Sequence, residues 1–160
     1  MVKELLLSTG IPTAGPTLYF TSLGLKPEDI AANSSRFFLG VQIQCAQCHD
    51  HPFDHWTRKD FWGYAAFFAR LPKPRNANAA LFQNVVDTAM GEVRLPTTKK
   101  IVQPQFLGGK QSPDAQKNRR QRLVDWIVKD KNPFFARASV NRIWAQLFGR
   151  GLVHPIDDMG

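Results

Sequence analysis

The sequence predicts a mainly α-helical fold with a small β-hairpin insert, in which helices flank a Cys/His loop and two antiparallel helices follow. Apolar residues recur at helical spacing in residues 26–44, 57–70 and 114–148. Short β-branched and aromatic runs, bounded by turn residues, occur mainly between residues 82 and 106. Both cysteines and three of the four histidines fall within residues 45–56. We call residues 45–56 the Cys/His loop, and the helices are expected to form its scaffold.

The composition indicates a folded chain. It has 160 residues, 43% of them hydrophobic, with four Trp and twelve Phe, which is enough for one compact domain or for adjoining pieces of two. We divide it into residues 1–72, a linker with the hairpin at 73–113, and a helical part at 114–160. No early apolar run has the length of a signal-peptide core, and none approaches the roughly 18 residues of a membrane span.

The first element is a short helix from Val2 to Ser8, stopped by glycine and proline. Residues 11–25 look loop-like, with an extended piece at Thr17–Phe20. Pro27 and the two acidic residues after it are typical of a helix start, because the exposed amides there favour negative charge. The apolar spacing continues this helix towards Gln44, directly before the first cysteine.

The next predicted helix runs from Thr57 to Arg70, with Asp54 or Thr57 as its cap. Its apolar side consists of four residues: Phe61, Tyr64, Ala65 and Phe68. This side is expected to pack over the Cys/His loop.

The middle of the chain contains the predicted β structure. Residues 71–80 form a basic linker with prolines and asparagines. Residues 82–86 and 92–95 resemble a hairpin with a turn at Met90-Gly91, and residues 100–106 add a third short strand.

Two further helices follow. Asp114 begins a basic helix with Lys117, Arg119, Arg120 and Arg122 outward and Leu123, Trp126 and Ile127 inward. Asn132-Pro133 caps the next helix, which runs from Phe134 to Phe148 and ends at a glycine. Five residues of that helix are expected to face a core: Phe135, Val140, Ile143, Trp144 and Leu147.

The net charge of +8 lies in the second half of the chain. Residues 1–70 carry six basic and six acidic side chains, so the excess falls in residues 71–160. A basic half fits an acidic partner domain or a solvated face. Two consecutive helices suggest a helix-turn-helix, but Trp144 and Phe148 suit a core better than a DNA groove, so a nucleic-acid partner is not favoured.

The spacing Cys45-x-x-Cys48-His49 is typical of covalent c-type haem attachment. Two thiols add to the porphyrin vinyl groups, and the following histidine ligates the iron. The sixth ligand is then Met90, Met159, His51 or His55, or the position is open. Met90 is favoured because it lies on a turn, whereas His51 is too near His49 to reach across the porphyrin.

A zinc site is the main alternative. Cys45, Cys48, His51 and His55 offer four nitrogen and sulfur ligands in one segment, with His49 and nearby aspartates as further donors. One loop would have to wrap the metal alone, whereas zinc fingers separate their ligand pairs by about a dozen residues. A dithiol redox pair is a third interpretation. In the fourth, the cysteines form a small disulfide or stay reduced while the histidines bond the backbone.

Two passages resemble known families. Residues 37–54, with Trp56-Thr57 and residues 63–69, resemble the second cytochrome-type domain of large planctomycete secreted proteins. Residues 132–138 and 140–153 resemble the start of the uncharacterised domain that follows it.

The resemblance implies an exported, periplasmic or secreted fragment that spans the end of one domain and the start of the next. It favours a c-type haem-binding, electron-transfer-like module with a redox partner or an acidic partner domain. A structural metal-binding or interaction module without redox activity stays open. No catalytic triad, phosphate loop or carboxylate pair stands out in the sequence, so an enzymatic activity has no support from it. Asp157-Asp158 resembles a motif of the second family, and its expected structural role is capping or pairing with Arg142 or Arg150.

Overall fold

The computed structural model describes every residue except 13–14, 97, 110–117, 131 and 160. The described chain is mainly helical with one two-stranded antiparallel hairpin, which confirms the predicted fold class. The helices, in chain order, are α1 (Val2–Leu6), α2 (Thr17–Ser22), α3 (Pro27–Ser34), α4 (Arg58–Ala65), α5 (Ala77–Leu81), α6 (Arg119–Ile127) and α7 (Phe135–Phe148). The strands are β1 (Val93–Arg94) and β2 (Ile101–Val102).

Helix α3 begins as predicted, with Pro27 in its first turn. It continues as a π-helical turn over Ser35–Leu39 and ends at Gly40, whose φ of 67° is left-handed. The predicted end near Gln44 is therefore wrong, because a left-handed glycine terminates a helix. A separate 3-10 turn over Gln44–Gln47 carries the first cysteine.

Helix α4 confirms the Thr57 cap. Thr57 Oγ1 accepts the Asp60 N–H at 3.2 Å, and the Asp60 carboxylate accepts the Thr57 N–H at 2.9 Å. This reciprocal capping box satisfies two amides that a helix start leaves unpaired. A 3-10 turn over Ala66–Phe68 extends the helix close to its predicted end. The predicted apolar side is fully buried: Phe61, Tyr64, Ala65 and Phe68.

Two predicted β segments are wrong. Thr17–Phe20 is not extended but lies in α2. Residues 82–86 do not pair with 92–95; Val85 forms only an isolated bridge with Gly10. The observed hairpin joins the second and third predicted strands, pairing Val93 with Val102.

Helix α5 occupies the predicted linker. Its alanines favour a helix, and the Asn76 side chain caps it by accepting the Ala79 N–H at 2.8 Å. The chain then turns before it could begin a strand at residue 82.

The core runs through the whole chain. Leu123, Val124 and Ile127 of α6 are fully buried in the same cluster as Phe61 and Phe68 of the first part. An aromatic stack supports this continuity: the rings of Phe67 and Phe106, and of Phe106 and Trp126, lie 5.0 Å apart between centroids. Helix α6 therefore completes the core that α3 and α4 begin.

Two arginines predicted to point outward from α6 are buried instead. Arg119 donates to Glu92 at 2.8 Å and to the backbone oxygens of Ala66 and Gly91. Arg120 likewise pairs with Asp87. Burial of a guanidinium is tolerated here because each is paired with a carboxylate and also donates to backbone carbonyls. Asp114 and Lys117, expected at the start of this helix, lie outside the described residues.

Helix α7 presents a different face from the one predicted. Val140, Ile143, Trp144 and Leu147 are exposed, whereas Ala138 and Asn141 are buried. Phe135, as expected, packs partly buried against the core. The small Ala138 lies beside Gly40 and allows the helix to approach closely. No helix among the described residues is long and apolar enough to cross a membrane.

Candidate functional site

The two cysteines are carried by one rigid turn. Cys45 lies in the 3-10 turn Gln44–Gln47, and Cys48 is the residue that directly follows it. Because residues three apart eclipse each other in a 3-10 helix, this spacing is expected to place the two side chains on the same side of the turn. Both thiols are free and exposed. The buried Ala46 anchors the turn from beneath, and the indole N–H of Trp62 in α4 donates to the Gln47 carbonyl at 3.1 Å. The fold thus presents both sulfurs to solvent on a fixed backbone.

His49 follows directly and is oriented by its neighbour. Its Nδ1 lies 2.8 Å from the Asp50 carbonyl oxygen, which can only accept, so the hydrogen bond assigns the proton to Nδ1 in the neutral ring. The lone pair then lies on Nε2, as in most metal-bound histidines. The Asp50 carboxylate in turn accepts the Arg58 N–H at 2.9 Å, in the first turn of α4. Helix α4 therefore sets the direction of the imidazole.

The other two histidines of the loop differ from each other in tautomer, and only His55 matches His49. The His51 Nδ1 accepts the Phe53 N–H at 3.4 Å, which assigns its proton to Nε2. In His55 the Nδ1 lies 2.6 Å from the Asp54 carboxylate, so the Nε2 lone pair is free. The His51 N–H donates to the Trp56 carbonyl at 2.8 Å and closes the loop. Of the three histidines, His49 and His55 present an Nε2 lone pair and His51 does not.

The donors do not converge on a point. Within the described part of the chain, no group of three or more His, Cys, Asp or Glu side chains is placed to hold a metal ion. A tetrahedral site built from Cys45, Cys48, His51 and His55 would have to break the hydrogen bond that His51 Nδ1 accepts from the Phe53 N–H and bring the four side chains together. The zinc alternative stays a prediction that requires this rearrangement.

Met90, the predicted distal ligand, lies in the segment between α5 and β1. Met90 is 85% exposed, and its carbonyl accepts from Thr88, which also bonds the Arg70 carbonyl. It therefore lies at the end of the helical run that begins at Arg58.

Trp56 is the unusual residue beneath the loop. Its side chain is 2% exposed, and its ring lies 4.1 Å from that of His55 between centroids. Among the residues that the structure describes, its buried indole N–H has no hydrogen-bond partner. A buried tryptophan N–H normally has an acceptor. At the surface of the same loop, Phe53 is 95% exposed.

The donor set fits a c-type haem. Two free thiols on one side of a turn match the attachment chemistry, and an adjacent imidazole with a free Nε2 matches the ligand to iron. The indole N–H of Trp56 is a donor that has no acceptor among the described residues. The ring of Phe53 is an apolar surface that the described residues leave exposed.

The last residues of the chain contact the segment that leads into the loop, which the sequence analysis did not anticipate. Asp157 pairs with Arg36 and accepts from the Gln42 amide at 3.2 Å. The expected pairing with Arg142 or Arg150 is therefore wrong. Burial alone raises the pKa of Asp157, but the hydrogen bond and charge of Arg36, with the Gln42 amide, outweigh it and hold that pKa below its ordinary value.

Asn141 and Arg142 of α7 support the same contact. The Asn141 side chain is buried, donates to the Val153 carbonyl and accepts the Val153 N–H, at 2.9 Å each, and so forms part of a buried polar network. Arg142 donates to the Phe37 carbonyl at 2.7 Å. Phe37 is more than a hundred residues from Arg142, and Val153 lies in irregular backbone. The helical periodicity of the sequence therefore does not predict these two contacts.

Comparison with known families identifies two regions. Residues 20–73 match PSCyt2, a protein of unknown function (DUF1549), and residues 119–160 match PSD1, a protein of unknown function (DUF1553). The chain thus carries a PSCyt2 region followed by a PSD1 region, which confirms the resemblance seen in the sequence. The Cys/His loop lies in the first region, and α6, α7 and the last residues lie in the second. Searches of curated proteins and of solved structures found no match to the chain.

Proposed function

We propose that Cys45, Cys48 and His49 form the attachment site of a c-type haem, and that the PSCyt2 region is an electron-transfer-like module of an exported protein. The observation that carries the proposal is that two free, exposed cysteines lie in and directly after one short turn, next to an imidazole whose Nδ1 bonds a backbone carbonyl and so leaves Nε2 as the acceptor nitrogen. The name of the matching family is cytochrome-like, which agrees with the proposal but does not establish it.

Each residue has a defined task in this proposal. The thiols of Cys45 and Cys48 add across two vinyl double bonds, so that each sulfur gains a carbon and each S–H hydrogen moves to the neighbouring carbon. His49 supplies Nε2, and the Asp50 carbonyl keeps the ring in the required tautomer. Trp62 holds the turn through the Gln47 carbonyl. The bound haem would supply one-electron redox chemistry.

An acidic redox partner is part of the proposal. Arg94, Lys99 and Lys100 of the hairpin region are exposed. The chain after the hairpin is tied to α4, because the Gln105 side chain donates to Asp60 at 3.0 Å. These cations therefore lie on the same rigid body as the loop, where they would attract an acidic surface. Covalent haem attachment normally takes place outside the cytoplasm, which supports a periplasmic or secreted location.

The test is expression of the chain in a periplasm that ligates haem, followed by denaturing electrophoresis with haem staining and absorption spectroscopy. We expect one covalent haem per chain, lost when both Cys45 and Cys48 are changed to Ser. His51→Ala is the matched control and should retain covalent haem. A protein without a Soret band but with stoichiometric zinc would refute the haem proposal and favour the structural metal site.

Met90→Leu tests the predicted distal ligand separately. Because Met90 lies at the far end of the α4 helical run, we expect the spectrum of the haem-loaded variant to equal that of the wild type. Loss of a methionine-ligated spectrum in this variant would show that Met90 moves to the iron.

A further inference from the structure

The end of the PSD1 region forms a strap, residues 152–159, that lies against the segment leading to Cys45. The Met159 N–H donates to the Gly40 carbonyl at 2.7 Å, and the Met159 side chain, 8% exposed, covers Gly40. Asp157 bonds Arg36 in the last turn before Gly40 and Gln42 after it. One carboxylate thus bridges both sides of the left-handed turn that ends the helix.

Helix α7 holds the strap in place. Asn141 accepts the Val153 N–H at 2.9 Å and donates to the Val153 carbonyl at the same distance. Arg142 donates to the carbonyls of Phe37 and Arg36, beside the Asp157 contact. The strap and α7 therefore both bond to residues 36–42.

Residues 36–42 are joined to Cys45 by a short, largely buried segment. Val41 and Ile43 are fully buried, and the Ala46 N–H donates to the Ile43 carbonyl at 3.0 Å. Residues 41–46 therefore have little freedom to absorb a displacement of Gly40. A change at the strap is expected to reach Cys45 through this short buried segment.

We propose that Asp157 is a positioning residue for the Cys/His loop, through which the PSD1 region sets the orientation of Cys45, Cys48 and His49. The haem readout below rests on the proposed function, whereas the amide-exchange readout does not. The charged groups around Asp157 are Arg36, which pairs with it, Arg142, which bonds the Arg36 carbonyl, and the neighbouring exposed Asp158.

The experiment compares Asp157→Asn with Asp158→Asn in the full chain. The two variants remove one negative charge from adjacent positions, but only Asp157 bonds residues that lead to the loop. In the haem-free protein we expect the Ala46 amide to exchange about three- to tenfold faster in Asp157→Asn, the range for loss of a partly exposed charged hydrogen bond. Amides of α6 should exchange at the wild-type rate in both variants. Combining Asp157→Arg with Arg36→Asp should restore slow exchange at Ala46.

Two results would overturn the inference. One is equal exchange at Ala46 in the Asp157 and Asp158 variants, or an increase shared by α6, which indicates general destabilisation. The other is an Asp157→Asn protein whose covalent haem keeps the wild-type spectrum and midpoint potential. If the wild type carries no haem, the proposed function fails, and the exchange measurement alone decides the role of Asp157.

Discussion

Replacing Arg120 by Met tests whether α6 of the PSD1 region belongs to the core of the PSCyt2 region. The Arg120 side chain is 2% exposed and donates to Asp87 at 2.8 Å and to the carbonyls of Leu6 and Ser8 at 3.0 Å each. Its guanidinium carbon lies 5.2 Å from the centre of the Phe20 ring. One side chain therefore joins α6 to α1, α2 and the segment after α5.

The magnitude follows from these contacts. Two carbonyls lose a charged donor, which costs about 1.5 kcal/mol each. The ion pair contributes about 1 kcal/mol, because Asp87 is 49% exposed and solvent screens it. The cation–π contact adds about 0.5–1 kcal/mol. Methionine recovers about 1 kcal/mol by filling the space with apolar atoms. We expect the free energy of unfolding to fall by about 3.5–4 kcal/mol.

Urea unfolding followed by tryptophan fluorescence and by circular dichroism measures the change. Lys129→Met is the matched control: Lys129 is exposed just beyond the same helix, so its replacement should cost less than about 0.5 kcal/mol. Both probes should report one transition at a lower urea concentration for Arg120→Met. A loss below about 1 kcal/mol, or separate transitions for the two regions, would refute the shared core.

Three further predictions concern the surroundings of the loop. Gly40→Ala should lower stability by about 0.5–1 kcal/mol more than Gly109→Ala, since both have positive φ but only at Gly40 must the end of the Met159 side chain move aside and the Ala138 methyl lie 3.1 Å from the new methyl; equal losses by urea unfolding would contradict this. The pKa of Asp157 is depressed in the fold, so the stabilisation by its carboxylate is complete above pH 3.8, the ordinary pKa, and is lost as the pH falls through the lower folded pKa. The difference in unfolding free energy between wild type and Asp157→Asn should therefore shrink as the pH falls through that range, and a difference that grows in acid would contradict the prediction. Trp62→Phe should cost about 1–2 kcal/mol and speed amide exchange in the cysteine turn, because the indole N–H that holds that turn is removed; unchanged exchange would show that the bond is dispensable.

Local chemistry made part of this architecture predictable. The Thr57 cap works through an acidic residue three positions away, and Pro27 works through its own ring, so both signals are complete within one helical turn. The Cys/His loop was likewise identifiable because its spacing carries the chemistry. Gly40 is also recognisable in the sequence as a residue that can end a helix, and the prediction of a helix from Pro27 towards Gln44 did not use it.

The faces of α6 and α7 were not predictable in the same way. Arg120 appears in the sequence as a solvent-facing cation, and its acceptors at Leu6, Ser8 and Asp87 come from distant parts of the chain. Helix α7 has large apolar residues on one side, yet packs through Ala138 and Asn141 because Gly40 allows a close approach there. Periodicity identifies which side of a helix is apolar but does not contain the shape of the surface that it meets.

The sequence by itself determined the helical class, the caps of α3 and α4 and the position of the Cys45–His49 motif, because each depends on residues within a few positions of one another. Only the tertiary structure decided that Cys45, Cys48 and His49 are exposed, that the Met90 segment is bonded to the end of the α4 helical run, and that Asp157 bonds residues on both sides of Gly40. These features depend on hydrogen bonds, burial and distances between segments up to 121 residues apart, which no local pattern encodes.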